Sequence, residues 1–244
     1  MSASQDPATL YPDIAAEGSL AAALQAVADR DGLPVPFTVS EAAPLRVASV
    51  TSAASRRTVL TISAWAVERR WSIRGCESFQ DMALVKGDTD ELAPIVRAAH
   101  AWHIGEELTA IREVAPFVHL TGRFEVTDND PALLTESEWQ HLLTEAGEVD
   151  WPAYHALIEA AYAEPALRRL YPFTSHWTLR FSTTTRPRLT VVRLCLAAHG
   201  QAPYTVSDNM MGEGRAEAAT AAEAVSIAAS RLPSGLGPVT LGAE

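Results

Sequence analysis

Lysine is all but missing from this chain. Lys86 is the only one, so nearly every cation is an arginine. Arginine keeps its charge when partly buried and offers a planar donor fork to oxyanions. The total charge points elsewhere than nucleic acid: 30 acidic residues leave a net −11, which argues against nonspecific nucleic-acid binding and against docking on an anionic membrane. Cysteine is scarce too. Cys76 and Cys195 are far apart and in no C-x-x-C pattern, which excludes a disulfide framework and argues against a thiolate zinc site. No apolar run approaches the roughly 18 residues of a membrane span. The opening MSASQDPATLYPD lacks the basic segment and apolar stretch of a secretory signal, so a cytoplasmic protein is expected. Also missing are a G-x-S-x-G elbow, a Walker A loop, a G-x-G-x-x-G after a strand and an H-E-x-x-H helix. The pairs Gly212/Gly214 and Gly235/Gly237 precede no phosphate-binding helix.

What is there reads as a globular chain of 244 residues with ordinary hydrophobic (48%) and charged (20%) content, enough for a sizeable core. Ile14, Leu20, Leu24 and Val27 recur at helical spacing, and that helix is expected to end near Gly32. From about 37 to 86 the pattern turns to β: Thr58-Leu60-Ile62 alternates with Arg57-Val59-Thr61, and Trp71-Ile73 follows. Asp88 or Thr89 is expected to cap a helix with the stripe Leu92, Ile95, Val96, Ala99 and Trp102. A second helix is expected over 106–114. The stretch 117–126 fits a strand, with Val118, Leu120, Phe124 and Val126 inward, or a helix, and Gly122 is a weak point in either reading. Thr135 with Glu138 resembles a capping box opening a helix to about Ala146, and another helix spans about 151–163. The strands then return: one through the opening of 171–186, one over 189–196 and one over 204–207. A loop follows over 208–219, then a helix over 220–231. The fold class expected is α+β, with antiparallel sheets and packed helices. The chain reads as a single domain over 1–244, and the pattern allows two similar β-rich halves, 10–115 and 116–244, flanking a helical middle.

The densest chemistry lies in YPFTSHWTLRFSTTTR, 171–186. Read at period two, Trp177, Leu179 and Phe181 share one face, and His176, Thr178, Arg180 and Ser182 the other. For the returning strand to share that core face, paired positions must sum to an odd number. The polar face then brings His176, Thr178 and Arg180 near Cys195, Arg193 and Val191. Guanidiniums, an imidazole and hydroxyls suit a tetrahedral oxyanion; an ordinary solvated sheet face accounts for the same residues. A second set, His119, Thr121, Arg123 and Glu125, shares a face if 117–126 is one strand. Glu136 and Glu138 read as acids favoured by a helix N-terminus. His100 and His103, three apart on a helix, and Cys76 after Gly75 read as ordinary helix-face histidines and a buried thiol rather than as a metal half-site and a nucleophile. No metal is expected.

The runs YPFTSHWTLRFSTTTRP (171–187), APFVHLTGRFEV (115–126), TESEWQHLLTEAGEVDWPAYHALIEAAYAEPALRRLYPF (135–173) and LPSGLGPV (232–239) resemble an actinobacterial family carried as a domain of unknown function in natural-product biosynthesis. The resemblance extends over about 10–239 and reaches the paired subunits that form aziridine rings in azinomycin- and vazabitide-type pathways. It implies a heteromeric enzyme, working with a homologous or paired second subunit, on a sulfated amine held by an amino-group carrier protein. An amine would attack the neighbouring carbon and expel sulfate, with no cofactor. That chemistry needs a base for the amine, for which Glu125, Glu138 and His119 are the candidates. It also needs cationic and hydrogen-bond donors where sulfate charge develops, for which Ser175, His176, Thr178, Arg180, Arg193 and Arg123 are the candidates. The same features would serve a non-catalytic scaffold subunit of a heteromer, or a small-molecule anion-binding protein.

Overall fold

The structure is a computed structural model that describes residues 6–200 and 203–242. The fold is α+β, and the chain divides into two compact units with the boundary between Thr121 and Gly122.

The N-terminal unit runs through helices α1 (Pro7–Leu10), α2 (Pro12–Ala16) and α3 (Leu20–Asp31). Strands β1 (Thr38–Val39), β2 (Val47–Val50), β3 (Arg57–Ala64), β4 (Trp71–Glu77) and β5 (Ala83–Thr89) follow. Helices α4 (Leu92–Ile104) and α5 (Leu108–Val114) and strand β6 (Val118–Leu120) complete it. Its strands form one antiparallel sheet in the order β1-β2-β3-β4-β5-β6. Leu60 and Ile62 of β3 alternate into the core beside Trp71 and Ile73 of β4, and the α4 stripe of Ile95, Val96, Ala99 and Trp102 is buried with them. Two expected boundaries move. The first helix is interrupted because Ser19 starts a new one, its Oγ accepting from the Ala22 N–H. Asp88 and Thr89 do not cap α4; they pair with Ser72 and Trp71 as the last residues of β5, and α4 opens after Glu91.

The C-terminal unit begins with a 3-10 turn at Thr127–Asn129. It continues through α6 (Pro131–Glu148), α7 (Pro152–Ala163), α8 (Pro165–Arg168), β7 (Tyr171–Ser175), β8 (Thr178–Ser182) and β9 (Thr184–Pro187). Strands β10 (Val191–Ala198), β11 (Tyr204–Ser207) and β12 (Ala216–Ala218), helix α9 (Ala221–Ser230) and strand β13 (Thr240–Gly242) follow. Five strands form an antiparallel sheet in the order β12-β11-β10-β8-β7; β9 and β13 pair separately and in parallel. The helices expected as the middle of the chain pack on this sheet. Trp139 and Leu142 of α6, Tyr154, Leu157 and Ile158 of α7 and Ala224 and Val225 of α9 bury Leu179, Phe181, Leu194, Leu196 and Val206.

The stretch 117–126 is not one strand. β6 stops at Leu120, and Gly122 takes φ +86°, a left-handed turn that ends pairing. Beyond it the backbone is tied to α6: the Phe124 N–H donates to Ser137 Oγ at 3.0 Å, and that hydroxyl donates back to the Phe124 carbonyl at 3.2 Å. His119, Thr121, Arg123 and Glu125 therefore do not share a strand face. The capping box is absent as well. α6 opens four residues before Thr135, at Pro131, with Asp130 accepting from the Ala132 and Leu133 N–H groups, while Thr135 Oγ1 donates to the Pro131 carbonyl. Glu136 and Glu138 thus sit beyond the first turn, where the helix dipole no longer explains them.

Candidate functional site

The run 171–182 is a hairpin, not a single strand. Ser175 pairs with Thr178, and the chain reverses through His176 and Trp177 at φ 51° and 63°, as a two-residue hairpin turn of the mirror-image kind requires. Trp177 is consequently at the tip and 44% exposed, not on the core face expected of it. Its ring meets Tyr154 edge-on at 5.3 Å and Trp151 at 6.1 Å. Beyond the turn the two-residue period holds: Leu179 and Phe181 are buried inward, leaving Thr178 and Arg180 to the outer face. The parity of the return strand also holds. Cys195 lies opposite Arg180, Leu196 opposite Leu179 and Val191 opposite Ser182, with a register shift between Val191 and Cys195.

Cross-strand pairing then builds the outer face row by row. Phe173, Arg180, Cys195 and Ser207 lie side by side across β7, β8, β10 and β11. In the next row Ser175 lies opposite Thr178, and Thr205 lies between Ala197 and Glu217. Thr178, Cys195, Thr205, Ser207, His199 and Arg215 line a cavity of about 220 Å³, whose other wall is Asn209–Gly212. That wall is a self-bonded turn rather than the long open loop the composition suggests. Asn209 Oδ1 accepts from the Met211 and Glu213 N–H groups, and its amide donates to Glu213 Oε2 at 2.7 Å.

Arg180 is half-buried. Its guanidinium stands 5.2 Å over the Phe173 ring, and its Nε is buried with no hydrogen-bond partner among the described residues. Arg193 differs: its side chain is 76% exposed and lies 3.6 Å from Glu213, and it does not line the cavity. His199 Nε2 is 2.9 Å from Thr205 Oγ1. Burial pushes the Cys195 thiol up, outweighing the pull of Arg180, so it packs as a neutral group. The Cys76 thiol is pushed up in the same way, against the hydrogen bond from Arg74.

The remaining candidates have other work. Arg123 and Glu138 form a bidentate ion pair, Nε to Oε2 at 2.7 Å and Nη2 to Oε1 at 2.9 Å, with both side chains less than a tenth exposed. Each group takes up the hydrogen-bonding edge of the other, which leaves neither facing a substrate amine or a sulfate, so Glu138 and Arg123 leave the candidate site for a structural role. His119 is an exposed residue of β6 in the N-terminal unit, and Glu125 is half-buried in the segment beside α6; neither lines the cavity. His103 Nδ1 is 3.0 Å from the Thr51 carbonyl. Among the described residues no group of three His, Cys, Asp or Glu is placed to hold a metal ion, and no helix is long and apolar enough to cross a membrane.

Residues 133–243 match the model of a family of unknown function, DUF6193. The match takes in just under half of the chain, running from the first turns of α6 to β13, and contains every strand of the outer face. No curated protein and no solved structure matches the chain. Within the DUF6193 segment, His199, Thr205, Ser207 and Arg215 escape a search that starts from the aromatic-cationic run. The signal that finds them is the alternation of Tyr204-Thr-Val-Ser207, which puts two hydroxyls on the polar face of the neighbouring strand.

Proposed function

We propose that the outer sheet face of the C-terminal unit binds a small molecule through a sulfate- or phosphate-type oxyanion. One observation carries this: the Arg180 Nε–H is buried and has no acceptor among the described residues, and Arg180 lies opposite Cys195, which lines a cavity with hydroxyls. An unsatisfied buried donor is costly, and one on a charged group more so; an oxyanion drawn against Arg180 from that cavity, with Thr178 and Thr205 as further donors, would satisfy it. Phe173 beneath the guanidinium holds it in place.

In the setting that the sequence resemblance implies, the ligand is a sulfated amine and the face belongs to an enzyme. The amine lone pair attacks the adjacent carbon, the carbon–oxygen bond to sulfate breaks, and sulfate leaves with the bonding electrons beside Arg180. The proton lost by the amine needs an acceptor at the cavity. His199, oriented by Thr205, takes the place first given to Glu125, Glu138 or His119. A paired second subunit, a carrier-borne substrate and a cytoplasmic location belong to the same proposal. The alternative, a non-catalytic binding or scaffold subunit, is favoured by the Arg123–Glu138 pair, which consumes two of the expected functional groups.

Melting the full chain in sodium sulfate and sodium chloride at equal ionic strength tests the binding reading. Sulfate stabilises any fold somewhat by exclusion from its surface, so the reading predicts a sulfate-over-chloride gain in melting temperature that is larger in the parent than in Arg180→Gln; equal gains in parent and variant would sink it. Sulfate release from the sulfated diamino intermediate by the reconstituted pair separates enzyme from scaffold: His199→Gln should keep the sulfate-dependent melting shift and lose turnover.

A further inference from the structure

A second, larger cleft of about 860 Å³ lies elsewhere in the C-terminal unit, within the roughly 300–1,000 Å³ typical of small-molecule sites. Three chain segments wall it: the first turns of α6, the α8 turn and 236–239. Each contributes a proline whose φ is fixed in advance, so little backbone freedom remains to be lost on binding. The walls are mostly carbon, and their charged groups are largely committed. Asp130 caps α6. Glu136 accepts from the Tyr162 hydroxyl at 2.6 Å, from Gln140 at 2.8 Å and from Arg168 at 3.1 Å, and Arg168 also stacks 4.2 Å from the Tyr162 ring centroid. Arg169 is the exception. It is exposed at the cleft wall, and its side chain makes no hydrogen bond or ion pair among the described residues.

We infer that this cleft is a second ligand site, separate from the outer sheet face, for an amphipathic small molecule with an apolar body and a single carboxylate or sulfonate. Carbon walls take the body. Of the two carboxylates at the rim, Glu136 is paired with Arg168 and Asp130 is turned to the helix N-terminus it caps, so Arg169 is the cation left for a ligand's anion. A ligand with no charge would leave Arg169 unused, and a polyanion would meet Asp130 and Glu136 at close range. The charge pattern therefore selects a monoanion.

The test uses the full chain and 8-anilinonaphthalene-1-sulfonate, an aromatic body with one sulfonate, followed by its own fluorescence. Saturable binding is expected in the parent. Arg169→Gln should weaken it about 5-fold, the upper end of what one solvent-exposed ion pair contributes. Ala132→Phe, at an exposed position of the cleft wall, should abolish it. The titration is repeated in an Arg180→Gln background, which removes any share of the outer face; the component lost with Arg169→Gln and Ala132→Phe should persist there. Amide shifts on probe addition should centre on Ala132 and Gly237 and require no variant. Binding that is not saturable, that survives both cleft variants, that disappears in the Arg180→Gln background, or whose shifts centre away from the cleft would each overturn the inference.

Discussion

Arg123 and Glu138 show how a residue's partner decides its role. As letters they are one cation and one acid near a helix start, and they fit sulfate binding and base catalysis equally well. Once paired and buried they hold the entry segment of the C-terminal unit against α6. Arg123→Ala should destabilise that unit by about 3–5 kcal/mol, because it strands a buried carboxylate. Replacing both at once, Arg123→Met with Glu138→Leu, should recover most of the loss, because paired charges exchanged for apolar side chains cost little. Urea unfolding followed at Trp139, which α6 carries, measures both; a double variant as unstable as Arg123→Ala would contradict this account. A clue was present in the sequence. Leu134, Glu138 and Leu142 follow one another at intervals of four on α6, so Glu138 stands in the apolar stripe. A charge there calls for a buried partner. What the stripe could not reveal is that the partner comes from 15 residues upstream, because that depends on the turn at Gly122.

The hairpin of β7 and β8 carries the corresponding lesson for elements. Face assignment from alternation held where the backbone was extended: Leu179 and Phe181 went in, Thr178 and Arg180 out, and the odd-sum pairing with β10 followed. It failed for Trp177, because alternation cannot be carried through a reversal, and this reversal lacks the Asn-Gly or Gly-X signal that normally marks a two-residue turn. His and Trp occupy it instead, both at positive φ, where ordinary side chains are strained. His176→Asn should therefore stabilise the unit by about 0.5–1 kcal/mol, since asparagine adopts the left-handed region more readily. Thermal melting in chloride reads this directly, and a lower melting temperature would show that the imidazole makes a compensating contact. The same sequence–structure gap explains β11. Alternation marks its four residues as a strand but says nothing of its neighbours, since strand order depends on long-range pairing. The cavity with His199, Thr205 and Ser207 appears only when β11 is seen beside β10.

At the scale of the molecule, each unit carries an ion pair that ties its stability to acid. In the N-terminal unit Arg69 grips Asp13 at 2.7 Å through both carboxylate oxygens. Those hydrogen bonds outweigh partial burial and hold the Asp13 carboxyl below its usual range. In the C-terminal unit burial alone would push Glu136 up, but bonds from Tyr162, Gln140 and Arg168 together bring it below its usual range. A carboxyl depressed by folding binds fewer protons in the native than in the unfolded state. Its stabilisation is complete above the unfolded value, near pH 4, and is lost as pH falls through the lower native value. Both pairs are partly exposed, so after solvent screening each is worth at most about 1 kcal/mol and should weaken in salt. Asp13→Asn should flatten the acid limb reported by Trp71 and Trp102, and Glu136→Gln the limb reported by Trp139. These indoles are all fully buried, and their NMR signals followed from pH 6 to about pH 2 across the carboxylate range resolve the two cases. Substitutions that leave both slopes intact would mean that neither carboxylate changes its proton affinity on folding, whatever its neighbours.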